Sequence, residues 1–206
     1  RSLYFRDNDF RLDIDNMVYA FDSSTINLCL SLFPWAKFHH QKGAVKMHTL
    51  LDLRGSIPVF IHLTDGSVHD VNALDSLLIE PAAFYLMDKG YVDFYRLFNL
   101  IHVKRAFFVT RAKDNMAYQV EDNFEVNKDA GLISDQSIRL TGVKSSKLYP
   151  DNIRLVVYED YATNNVYHFL TNNFELSALT IAELYRERWK VELFSKWIKQ
   201  HLHIKA

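Results

Sequence analysis

Three carboxylates and one group of polar residues near the C-terminus are of the types, and at the spacings, that could do chemistry. Asp22 follows the apolar run Met17 to Phe21 and precedes three hydroxyls in FDSSTI, while Asp88 follows Ala82 to Met87 and precedes Lys89-Gly90-Tyr91. Each reads as an acid delivered at the end of a short strand, where side chains of an α/β sheet converge on a crevice. Glu192 lies in SALTIAELYRERWKVELFSKWIKQHLHI, with Tyr185, Arg188, Glu192 and Lys199 at i, i+3, i+7 and i+14. At about 100° per helical residue these four fall within roughly 60° of arc, one ridge. Three carboxylates drawn together repel unless a cation neutralises them. Oxygen-only ligands suit Mg²⁺ or Mn²⁺, and two such ions about 4 Å apart stabilise the attacking and leaving oxygens of a phosphoryl transfer. The same residues allow an ordinary reading: strand-end Asp caps turns, and Glu–Lys and Glu–Arg pairs lace solvated helix faces.

The elements that must position these groups can be read in order. Asp13 to Ile26 contains the first strand. Ala44 to Leu53 and Ile57 to Leu63, joined across Arg54-Gly55-Ser56, form an antiparallel hairpin beside it. Asp70 to Ile79 has the spacing of a helix closed by Pro81, Ala82 to Met87 is a buried strand, Val92 to His102 a helix, and Ala106 to Thr110 a further strand. This order predicts an α/β fold, a mixed sheet with helices on its faces. From Lys113 to Asn172 four β-like runs separated by Asn, Asp and Gly turns read as an all-β insertion before the final helix. Ser177 to Ile204 is expected to be one long amphipathic helix. Ser177 or Thr180 is its N-cap, with Glu183 completing a capping box from Thr180. Its buried stripe is Leu184, Val191, Phe194, Trp197, Ile198 and Leu202.

Composition narrows the class. About half of the 206 residues are apolar (49%), which is the composition of a globular chain. The single cysteine, Cys29, excludes an internal disulfide framework and fits a reducing compartment. No apolar run is long enough to span a bilayer, no signal peptide is recognisable, and Arg rather than Met at position 1 suggests a piece of a longer protein. A net charge of −1 gives no global signal for nucleic acid, but KRAFFVTRAK (Lys104 to Lys113) holds four cations and no acid.

The three motifs together resemble a known family. Tyr185, Arg188, Glu192 and Lys199 match the Tyr-x2-Arg-x3-Glu-x6-Lys signature of bacterial insertion-sequence transposases with a DDE catalytic triad. FDSSTI around Asp22 resembles that family's first-Asp motif, and MDKGY around Asp88 its second. The resemblance covers nearly the whole chain and implies an RNase H-like core of residues 1–112 and 173–206, with 113–172 as the β-rich insertion. It implies that Asp22, Asp88 and Glu192 are catalytic ligands of Mg²⁺ or Mn²⁺, two ions in all. It further implies cleavage at transposon inverted-repeat ends and attack of the freed 3′-hydroxyl on target DNA. Tyr185, Arg188 and Lys199, with Lys196 beside them, would hold DNA phosphates, Arg as a fork and Lys as a point charge. Double-stranded DNA, self-association in a synaptic complex and a cytoplasmic, nucleoid-associated location complete the expectation, with no membrane partner. The alternatives are a catalytically inert DNA-binding remnant and a general RNase H-like nuclease.

Other candidates are weaker. His39, His40, Lys46 and His48 match no usual zinc spacing, though Lys46 and His48 resemble a Lys-x-His segment in relatives that could face DNA. His62, His69 and Asp70 are expected in cap and turn roles. Trp35, Trp189 and Trp197 are expected in the core. Tyr149, Tyr158 and Tyr161 are candidates to receive an extruded base, as an insertion-domain aromatic does in this transposase group. Gly90 is expected to let the chain turn sharply after Asp88.

Overall fold

The computed structural model describes residues 12–28, 37–39 and 42–201. They gather into two compact units. One holds Val18–Leu78 and the segment from Glu187 onward, and the other holds Ile79–Arg186 with the residues leading up to Met17.

The first unit is built on strands β1 (Val18–Leu28), β2 (Lys37–His39), β3 (Lys42–Asp52) and β4 (Ile57–Asp65). β3 is the hub, pairing antiparallel with β1, β2 and β4, so the expected hairpin and its neighbouring strand are present. One expectation fails: Asp22 is the fifth of eleven residues in β1, not its last. Ser23, Ser24 and Thr25, which that expectation places beyond the strand end, pair with His48, Met47 and Lys46 of β3. Pairing with a long neighbour overrides the local polarity. The Asp70 to Ile79 helix is likewise replaced by 3-10 turns over Asp70–Ser76. The Asp70 carboxylate pairs with Lys46 Nζ at 3.1 Å, and the turn bonds span three residues, Asn72 N–H to His69 O at 3.1 Å among them.

Helix α4 (Trp189–His201) covers β1 and β3 of this unit. Val191 and Phe194 are buried, and Ile198 packs on Ile26, Val45 and Met47. Each such side chain contributes roughly 1.5–3 kcal/mol when fully buried. Trp189 and Trp197, expected in the core, are exposed instead, because the buried stripe runs through Val191, Phe194 and Ser195. Leu202, Trp35, Cys29 and His40 lie outside the described residues.

The second unit holds β5 (Phe84–Met87), α1 (Phe94–His102), β6 (Phe107–Arg111), β7 (Tyr118–Phe124), β8 (Leu132–Leu140), α2 (Ser145–Leu148), β9 (Ile153–Asp160), β10 (Asn165–Thr171) and α3, Ala178–Glu187, up to its last residue. Its strands run in the order β5-β6-β10-β9-β8-β7. β5 and β6 are parallel and the others antiparallel, which is the mixed sheet that the alternation of elements predicts. α1 is the crossover between β5 and β6, capped by Asp93, whose Oδ1 accepts from Arg96 N–H at 3.0 Å. The stretch between Lys113 and Asn172 is not all β, since it contains α2 and a 3-10 turn at Lys128–Ala130. Through β10 it shares one sheet with β6.

Arg154 of β9 and Asp135 of β8 form a buried bidentate pair, Nε to Oδ1 at 2.8 Å and Nη2 to Oδ2 at 2.7 Å. Arg154 Nη1 also donates to the carbonyls of Asn173 and Leu176 at 3.1 and 2.6 Å, tying the approach to α3 onto the sheet. Ser177 is the N-cap of α3, its Oγ accepting from Thr180 N–H at 3.0 Å. With the cap at Ser177, Thr180 lies inside the first turn and the Thr180–Glu183 capping box is not the one the helix uses. The single long helix expected over Ser177 to Ile204 is two helices, α3 and α4, with Arg188 between them. Among the described residues no helix is long and apolar enough to cross a membrane.

Candidate active site

In the first unit β1 carries Asp22 between Phe21, which is buried on the opposite face, and Ser23. Strand alternation puts Asp22 on the same face as Ser24 and Ile26. That is the face on which α4 lies, because Ile26 contacts Ile198. Thr49 of β3 is the direct cross-strand neighbour of Asp22, and its side chain is fully buried. Glu192 is in the first turn of α4, where the helix dipole favours a negative charge.

Arg188, in the break before α4, connects the two acids. Its Nη1 is 4.0 Å from Asp22 Oδ1, and its Nη2 donates to Glu192 Oε1. The Arg188 side chain is largely enclosed, 12% exposed, against 19% for that of Asp22 and 51% for that of Glu192. Strand and helix, one hundred and seventy positions apart in the chain, thus aim two carboxylates at one positive charge. Lys196 and Lys199 follow Glu192 on α4 and are exposed. At about 100° per residue Glu192, Lys196 and Lys199 stay within roughly 60° of one another, so the ridge survives within α4. Lys190 is engaged elsewhere, with Glu187 at 2.5 Å.

In the second unit Asp88 directly follows β5, all four residues of which are buried. Its Oδ1 accepts from Lys89 N–H at 2.7 Å, so it caps the 3-10 turn Lys89–Tyr91. Its carbonyl accepts from Tyr91 N–H at 3.0 Å and from the buried Thr110 hydroxyl at 3.2 Å. Thr110 pairs with Met87 across the parallel β5–β6 ladder, so neighbouring strands fix the peptide that carries Asp88. Lys89 Nζ meets Asp114 at 3.4 Å. Tyr185, on α3, is 8% exposed, with its ring centroid 4.8 Å from that of Phe169.

Several lesser expectations change. His48 is buried and Lys46 is partly enclosed. Lys46 Nζ donates to Val68 O at 2.7 Å, and His48 is fully buried with Nε2 2.9 Å from Thr64 Oγ1. Burial lowers the His48 pKa, against Asp70, which raises it, with His62 and Lys46 lowering it further. Among the described residues no three His, Cys, Asp or Glu side chains form a group that could hold a metal ion. Tyr149 is in the core, edge-on to Phe94 and Phe98, and burial raises its hydroxyl pKa well above the usual range. Tyr158 accepts from Arg186 at 3.2 Å, and Tyr161 donates to Lys128 O at 3.1 Å. A Cβ on Gly90 would meet nothing within 4 Å and its φ is ordinary, so the turn after Asp88 does not depend on glycine. Sequence reasoning missed Thr49, Thr110 and the Arg154–Asp135 pair. A charged residue inside the apolar run IRLVV was the signal available for the last of these.

Asp22 and Glu192 offer carboxylate oxygens alone, the ligand type that hard divalent cations take, and both converge on one cationic side chain. The sequence comparisons bear on what such a set is for. A profile of the family described as Transposase DDE domain matches residues 14–206. The protein y4zB of Sinorhizobium fredii, described as a transposase, is 36% identical over 194 residues, covering 92% of this chain and 53% of that protein. A protein of Geobacillus stearothermophilus, described as a transposase for insertion sequence element IS5377, is 29% identical over 186 residues, covering 89% and 48%. The chain spans about half the length of the curated relatives it matches. Among solved structures, the piggyBac transposase in its synaptic complex with hairpin DNA superposes with a TM-score of 0.53 at 11% identity, over 88% of this chain and 40% of that one, a likeness of fold. With nearly its whole length matched by the profile, this chain belongs to the DDE transposase domain family.

Proposed function

We propose that this chain is the catalytic domain of an insertion-sequence transposase of the Tyr-Arg-Glu-Lys signature group, cutting DNA at the element's ends and joining the freed 3′-hydroxyls to target DNA. The observation that carries the reading is the meeting of Asp22 and Glu192 at Arg188 in a chain of this family. Asp22, Asp88 and Glu192 would hold Mg²⁺ or Mn²⁺, two ions in the full site. When bound, such ions lower the pKa of the attacking oxygen and stabilise the leaving one. The chain's own residues supply the rest. β1 and α4 fix two acids on one sheet face, and Thr110 fixes the peptide of the third. Lys196 and Lys199, exposed on α4, reach for backbone phosphates as point charges, and Arg188 offers them a planar fork. Tyr185, enclosed against Phe169 with its hydroxyl oxygen buried, joins the DNA-contacting group on the strength of the signature alone. We assign residues 113–172 as the insertion, double-stranded DNA as the substrate, self-association at paired ends, and a cytoplasmic site of action.

The test uses the full-length protein carrying this domain, its element's terminal repeats as duplex, and Mg²⁺ or Mn²⁺. Nicking and joining are expected, with no cleavage of an RNA–DNA hybrid. Glu192→Gln should abolish chemistry while leaving duplex binding intact. Cleavage retained by that variant, or preferred on the hybrid, overturns the reading.

A further inference from the structure

We propose that Arg188 is a resident counter-cation for Asp22 and Glu192, displaced when the site takes up a divalent ion and captured by a DNA phosphate, so that DNA and metal bind cooperatively. This inference rests on the functional reading above and adds a coupling that a simple phosphate clamp does not have. The guanidinium reaches Asp22 Oδ1 at 4.0 Å and hydrogen-bonds Glu192, and it is mostly enclosed. Arginine keeps its charge at every working pH, so it competes with any cation approaching those oxygens and cannot be switched off by deprotonation.

Two carboxylates and one guanidinium leave a net charge of −1, which still attracts a dication. That dication, once on the same oxygens, faces the guanidinium as a like charge. The repulsion is relieved if the guanidinium finds another anion. A phosphodiester presents two oxygens to its fork and is the group that a nucleic-acid substrate brings. Arg188 occupies the single-residue break between α3 and α4, directly before the helix that carries Glu192. The side chain that holds the acids together in the free protein is therefore the one best placed to read the arrival of DNA. By linkage, whatever DNA does to metal affinity, metal must do equally to DNA affinity.

The experiment is a Mn²⁺ titration followed by electron paramagnetic resonance, on the protein alone and with a short blunt-ended DNA duplex. Wild type should bind Mn²⁺ more tightly with duplex, by roughly fivefold or more, the low end of usual coupling between sites. Arg188→Gln should bind Mn²⁺ more tightly than wild type without DNA, by a similar factor, and lose the duplex effect. Arg188→Lys, which keeps the charge but not the fork, should stay near wild type without DNA. Unchanged or weaker Mn²⁺ binding in Arg188→Gln overturns the proposal, as does a gain in Arg188→Lys equal to that in the Gln variant. Should the Gln variant fail to fold, the wild-type arm decides, and absence of a duplex effect there overturns it. Asp22→Asn and Glu192→Gln separate the two readings. If neither weakens Mn²⁺ binding, the assignment of the acids as ligands falls. If both weaken it while Arg188→Gln does not strengthen it, only the counter-cation role falls.

Discussion

Replacing Asp135 by Asn should be among the most damaging single changes outside the acids, and the structure supplies the size of the effect. Asp135 and Arg154 have side chains 4% and 6% exposed and meet in two short charge-assisted bonds. Asn keeps the shape and one acceptor oxygen but removes the charge, leaving the buried guanidinium with neutral acceptors alone, the amide oxygen and the Asn173 and Leu176 carbonyls. Breaking a buried pair by removing one partner costs about 3–5 kcal/mol. At about 2–4 °C per kcal/mol for a chain of this size, the melting temperature should fall by roughly 6–20 °C. The double variant Asp135→Leu/Arg154→Met removes both charges and should recover much of that loss. It should still fall short of wild type by about 1–3 kcal/mol, because the buried Asn173 carbonyl loses its donor. Urea unfolding followed by circular dichroism measures all three proteins. A cost below about 1 kcal/mol for Asp135→Asn would refute the reasoning, since the pair would then be screened by water that the burial excludes.

Further predictions concern caps, turns and pH. Gly131 has φ +83° and a Cβ there would lie 2.6 Å from the Glu159 carbonyl, so Gly131→Ala should cost about 1–3 kcal/mol in urea unfolding. Gly90→Ala should stay within about 0.5 kcal/mol in the same assay. Ser177→Ala removes the α3 cap and should cost about 1 kcal/mol, with Ser177→Asn largely neutral. His48 titrates below the ordinary histidine value because it is buried, so the unfolded chain takes up the proton first as pH falls. Its contribution is complete above about pH 6.5 and is lost as pH falls from there through the depressed folded value. His48→Gln should flatten that part of the stability profile, and an unchanged acid limb would count against a buried neutral imidazole.

The parts legible in the sequence were those set by local pattern. The β3–β4 hairpin follows from two β-rich runs around Arg54-Gly55-Ser56, and α1 from its Asp93 cap and apolar spacing. β5 was legible as a short buried run ending at an acid. Family membership was legible too, because FDSSTI, MDKGY and the Tyr-Arg-Glu-Lys spacing are motifs of residue type and order. Tertiary pairing decided the rest. β3 drew Ser23, Ser24 and Thr25 into a ladder and moved Asp22 from strand end to strand middle, because backbone hydrogen bonds to a long partner outweigh weak local preference. Packing chose which stripe of α4 was buried, turning Trp189 and Trp197 outward. The chain after Ser177 carries a regular helical pattern with no Pro or Gly to mark a break, yet it divides at Arg188. From sequence, Arg188 was one of four polar residues on a ridge. Only the fold brings Asp22 to it from a distant strand, so that a pair within one helical stretch becomes a meeting of two carboxylates at one enclosed arginine.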